Sequence, residues 1–110
     1  MNNDIQARIS NFSEEITKLF SSLRDTVYSS VSDDLEEKLW GGLPSYYLGK
    51  NFVRLILFKD HINIEASAII KYKDDLKEYK LTPKGMLQLS PNREIPTDVL
   101  KQAFKETLTN

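Results

Sequence analysis

The sequence predicts a single α+β domain, with an antiparallel sheet of about four strands backed by helices from both ends of the chain. Three observations carry this. Apolar residues recur every three or four positions near both ends, the period of a helix with one buried face. Short apolar or alternating runs lie between them, separated by turn residues. Consecutive strands joined by tight turns are antiparallel neighbours. The architecture centres on Leu39 to Ile64, which holds the only Trp, two adjacent Gly, a Tyr pair and the only His.

Ile5, Ile9, Phe12, Ile16, Leu19, Phe20, Leu23 and Val27 form one helical stripe. Ser13 is a good N-cap, and Glu14 and Glu15 behind it suit the positive end of a helix dipole. Residues 1–31 are therefore expected to form a short helix and then a main helix from about Ser13 to Ser30. A third, short helix is expected from Ser32 or Asp33. Asp33 and Glu36 have capping-box spacing, and Leu35 and Leu39 stand at i, i+4. Gly41-Gly42 would end it in the left-handed conformation, and Pro44 would prevent its resumption.

The remainder of 32–110 reads as a meander, a helix, a strand and a last helix. Ser45–Leu48 is a short strand, and Gly49-Lys50-Asn51 is a turn. Phe52–Phe58 is apolar on both faces except at Arg54, as in a central strand covered on both sides or facing a pocket on one. After Lys59-Asp60 the alternation is clean. Ile62, Ile64 and Ala66 point one way, and His61, Asn63 and Glu65 the other. Ser67 is expected to cap a helix carrying Ile69, Tyr72, Leu76 and Tyr79. Pro83-Lys84-Gly85 turns the chain into a strand over Met86–Ser90. Pro96 then opens a helix burying Val99, Leu100, Ala103, Phe104 and Leu108.

With 110 residues, 40% hydrophobic and 28% charged, the chain has the composition of a soluble globular domain. A net charge of −1 gives no reason to expect a nucleic-acid partner. The absence of Cys removes disulfides, thiolate nucleophiles and Cys-ligated metal. The N-terminus lacks the basic and apolar blocks of a signal peptide, and no apolar run is long enough to span a bilayer. A cytoplasmic protein without a membrane partner is the expectation. With one His and no Ser in a nucleophile-elbow context, an enzyme is not expected.

Three groups of residues are candidate sites. His61 and Glu65, with Asn63 between them, share one strand face and offer ligands for iron or another divalent ion; the solvated face of a sheet needs the same residue types. Asp33, Asp34, Glu36 and Glu37 offer carboxylate oxygens for a weakly held hard cation, and serve equally as first-turn acids. Trp40 and Tyr46, with Arg54, Lys59 and His61 at the mouth, offer an apolar pocket with a few polar groups; core packing would use the same aromatics.

The run Trp40-Gly41-Gly42-Leu43-Pro44-Ser45-Tyr46 resembles the YdhG-like bacterial family, a domain of unknown function. The resemblance continues through Gly49–Val53, Phe58–Ile62 and Tyr72–Lys80 to Ile95-Pro96 and the final amphipathic helix. Its most specific parts are the Trp-Gly…Pro…Tyr run and Lys59-x-His61. Here the run has one residue more between Trp40 and Pro44 than the family's Trp-Gly-x-Pro pattern. Some members are described as frataxin-like iron chaperones. The resemblance therefore implies an iron-binding carrier that supplies iron–sulfur assembly or haem synthesis and works with proteins of those pathways. A small-molecule-binding module and an interaction domain, monomeric or homodimeric, are the alternatives.

Overall fold

Asn2 and Ser13 start two separate helices. In the computed structural model, which describes residues 1–110, the Asn2 side chain accepts the Ile5 N–H and opens α1 (Asn3–Ile9). Ser13 Oγ accepts the Ile16 N–H and opens α2 (Glu14–Ser29) as the sequence predicts. The apolar stripes of both helices bury Ile5, Phe20, Leu23 and Val27 against the sheet.

The expected third helix is instead a strand. β1 (Glu36–Trp40) pairs with β2 (Leu43–Leu48), with Trp40 opposite Leu43 and Glu37 opposite Tyr46. Leu35 and Leu39 do pack on the core, but a spacing of four places two residues on one face of a strand as readily as of a helix. Gly41 and Gly42, at φ +56° and +82°, form the two-residue loop of this hairpin. Two consecutive positive-φ residues suit the twist of a type I′ connection, which Gly adopts without a Cβ clash. Pro44 therefore lies within β2, opposite Leu39, and does not terminate a helix.

β3 (Asn51–Leu57) and β4 (Ile62–Glu65) continue the antiparallel meander. β5 (Lys80–Leu81) and β6 (Leu87–Leu89) complete a six-stranded sheet in the order β1-β2-β3-β4-β6-β5, two strands more than expected. Both additions were hidden by length or pattern. β5 has only two residues, and β1 carries the helix-compatible leucines. Ser67–Leu76 is a 3₁₀ segment broken at Tyr72, and no side chain caps its start. The expected apolar face is nevertheless kept: Ile69 and Leu76 are buried and Tyr72 and Tyr79 pack against the core, while Ile70 stands exposed. α3 (Thr97–Thr109) buries Leu100, Ala103, Phe104 and Leu108. No helix is long and apolar enough to cross a membrane.

The sheet is covered on one side only. Tyr46, Val53, Leu55, Ile62, Ile64, Leu87 and Leu89 join the helices in one continuous core. The alternate residues of the same strands face away from the helices. Across that face the register aligns Lys38, Ser45, Arg54 and Glu65 in one row.

Candidate functional site at the end of the sheet

Arg54 sits on the helix-free face, yet is almost fully buried. Its guanidinium carbon lies 4.2 Å from the centre of the Trp40 ring and 4.1 Å from that of Phe52. Nε donates to Ser45 Oγ at 2.8 Å, Nη2 to the Tyr47 hydroxyl at 3.0 Å, and Nη1 reaches Glu65 Oε1 at 3.4 Å. A planar cation between two aromatic faces, with its edge occupied by hydrogen bonds, is a desolvated charge held by favourable partners. The single charge in the most apolar strand is explained in this way.

Beyond Phe52 and Glu65, where β3 begins and β4 ends, a cleft of about 520 Å³ opens. This volume lies in the usual range of small-molecule sites. Phe52, Ile70 and Met86 supply apolar walls. Ile70 stands 51% exposed, which leaves an aliphatic side chain in water on one of these walls.

Two tight turns present lysines to the cleft. Gly49 and Lys50 form the β2–β3 connection between the paired residues Leu48 and Asn51, with Gly49 at φ +62°. In the β5–β6 connection the Gly85 N–H donates to the Thr82 carbonyl at 2.9 Å, which places Pro83 and Lys84 at the two central turn positions. Gly85 follows at φ +83°. Neither lysine takes part in any of the chain's ion pairs.

Two hydroxyls also line the cleft. Ser67 Oγ has no intramolecular hydrogen bond among the chain's side-chain contacts. Thr107 is only 6% exposed; its Oγ1 accepts the Ala68 N–H at 3.0 Å and donates to no group of the chain. A buried hydroxyl that accepts a hydrogen bond and donates none, on a residue that lines the cleft, leaves a hydrogen-bonding capacity unmet. Asn51 fixes the same corner, donating to the carbonyls of Leu108 and Asn110 at 3.1 and 2.7 Å.

The residues singled out by sequence are only partly brought together. Trp40 and Arg54 touch, and they adjoin the cleft through Phe52. Tyr46 cannot line a pocket with Trp40: strand alternation turns it to the opposite face, where it is fully buried and edge-on to Tyr28. Burial, and the negative charge of Glu37 beside it, push its hydroxyl well above the ordinary tyrosine value. His61 is at the far end of β4 from Glu65, about 13 Å away by strand rise. It stacks on Phe58 with ring centres 4.4 Å apart, and its Nδ1 lies 2.7 Å from Asp60 Oδ1. The hydrogen bond to that ring holds the Asp60 carboxyl below its usual range. Asn63 faces the same way as His61, and its buried Oδ1 finds no partner. Lys59 is exposed in the adjoining turn.

The acidic candidates are dispersed too. Asp33 and Asp34 lie in the bend before β1, and Glu36 is exposed beside Lys38. Glu37 points to the helices and pairs with Arg24, while Glu65 pairs with Arg54. No three His, Asp or Glu side chains converge in a metal-binding arrangement. Sequence reading missed the cleft because its lining comes from four separate segments. The one available signal was a lysine in each of two glycine-containing turns.

Fold and site together define a helix-backed antiparallel-sheet domain with one bare face and a cleft at its end. No family model, no curated protein and no solved structure matches this chain.

Proposed function

We propose that this domain is a non-catalytic small-molecule-binding module whose site is the cleft between the Lys50 and Lys84 turns. The observation that carries it is Thr107, a cleft-lining residue that is buried, whose hydroxyl accepts the Ala68 N–H and donates to no group of the protein. An apolar cleft with a few convergent polar groups is the usual form of such a site. This relocates the pocket expected near Trp40, Tyr46 and His61. The iron-carrier reading implied by the YdhG-like resemblance draws less support from the geometry, because Glu37, Glu65 and His61 are each committed to another side chain.

Amide chemical-shift mapping with a small-fragment library tests the proposal. Hits should cluster on Phe52, Ser67, Ile70 and Lys84 to Met86, and Ile70→Glu should abolish them without lowering stability. Hits confined to the Trp40 or His61 end of the bare face would refute it.

A further inference from the structure

The cleft's polar lining is unbalanced, and the imbalance selects a ligand. Its cations are Lys50 and Lys84, each delivered by a tight turn and each without an ionic partner. Its spare hydroxyl donors are Ser67 and Thr107. Its only carboxylate is Glu65, already engaged by the Arg54 guanidinium at 3.4 Å. The polar groups therefore offer mostly positive charge and unused donors, against apolar walls of Phe52, Ile70 and Met86.

Resting on the cleft being the binding site, we infer that its ligand is a small apolar anion: an aromatic or branched aliphatic body carrying one carboxylate. The apolar part lies against Phe52 and Ile70, where burial removes exposed aliphatic surface from water. The carboxylate accepts hydrogen bonds from a lysine ammonium and from the Thr107 hydroxyl, and charge-assisted bonds of this kind are the stronger ones. A cationic body would meet two lysines of like charge, and a neutral one, although its oxygen could accept from Thr107, would leave both lysine charges unpaired. An acidic partner protein is disfavoured by the same geometry, because the Thr107 hydroxyl is buried and only a slender group reaches it.

Three probes of similar size and different charge separate the possibilities: phenylacetate, phenylacetamide and phenethylamine, each titrated into the whole chain at neutral pH and followed by amide shifts. Phenylacetate should perturb Phe52, Ser67, Ile70 and Met86 and bind about tenfold tighter than the amide. That preference should shrink with added salt. It should disappear in the Lys50→Gln/Lys84→Gln variant, whose replaced side chains are exposed in turns and whose amide spectrum reports on the fold. Thr107→Val should weaken phenylacetate more than phenylacetamide. Equal binding of all three probes in the cleft overturns the anion inference and leaves the cleft reading standing. Preferential binding of phenethylamine would assign the site to Glu65 and overturn it as well. Failure of every probe to move cleft amides at millimolar concentration counts against both.

Discussion

The Arg24 guanidinium holds the Glu37 carboxylate by two hydrogen bonds, Nε to Oε2 at 2.6 Å and Nη2 to Oε1 at 3.2 Å. The same carboxylate accepts the Asn2 N–H at 3.0 Å, and the Asn2 side chain donates to the Glu37 carbonyl at 2.9 Å. One side chain of edge strand β1 thereby ties α2 and the start of α1 to the sheet. Asn2 also occupies a backbone acceptor on a strand paired only with β2, which makes that edge a poorer template for another strand. Burial alone would raise the Glu37 pKa; the bonds from Arg24 and Asn2 outweigh it, so the folded carboxyl sits below its ordinary value. Because the folded pKa is depressed, the stabilisation is complete above the unfolded value of about 4.3 and is lost as pH falls through the lower folded value. Glu37→Gln should cost roughly 1.5–3 kcal/mol at pH 7. It should also flatten the acid limb of stability, as measured by urea melts between pH 7 and 3.

Arg54 is held by geometry that lysine cannot reproduce. A planar fork bonds Ser45, Tyr47 and Glu65 while its faces stack on Trp40 and Phe52. Arg54→Lys should cost about 1–3 kcal/mol, and Arg54→Ala more, because a charge-assisted bond is lost from Glu65. Trp40 is the only tryptophan, so its fluorescence reports directly on the stack. Its emission should change on Arg54→Lys under conditions where circular dichroism remains native. An unchanged spectrum would mean the stack is not occupied in solution.

The Gly41-Gly42 pair decides between the helix end and the hairpin by mutation. A helix C-terminus needs one left-handed residue, whereas the hairpin uses two, at φ +56° and +82°. A Cβ at either position meets nothing within 4 Å, so the penalty is purely of the backbone. Both Gly41→Val and Gly42→Val should therefore destabilise by about 1–2 kcal/mol. Gly41→Asn should be better tolerated, since Asn adopts the left-handed region more readily. Thermal melts of the four proteins, wild type included, check this.

How much could be read beforehand follows from which signals were degenerate. Ser13 as a cap, the stripe from Ile16 to Val27, and the alternation from His61 to Ala66 each have one structural solution, and the fold adopts it. Leu35 and Leu39 have two, and the Gly pair was consistent with either, so local pattern chose a helix where strand pairing with β2 prevailed. The cleft lay further from reach. Lys50, Glu65, Lys84 and Thr107 meet only through tertiary folding, and each taken alone is an ordinary surface or helix residue.

His61 separates the expectation drawn from sequence from the site the fold builds. As the only imidazole, on a polar strand face beside an aromatic, it invites assignment as a ligand-binding residue. Its ring is instead stacked on Phe58 and bonded to Asp60 within the β3–β4 turn, at the opposite end of β4 from the cleft. Phe58 is itself 41% exposed, so the stack shields part of an aromatic face from water and orders the turn. Replacing the imidazole removes one aromatic stack, worth about 1 kcal/mol, and one hydrogen bond to an exposed carboxylate that water replaces. His61→Gln should therefore lower stability by no more than that amount in urea melts. Phenylacetate affinity at the cleft should stay within about twofold of wild type, a difference of under half a kcal/mol. Loss of that binding on His61→Gln, with the melt unchanged, would return the site to the imidazole end of the sheet.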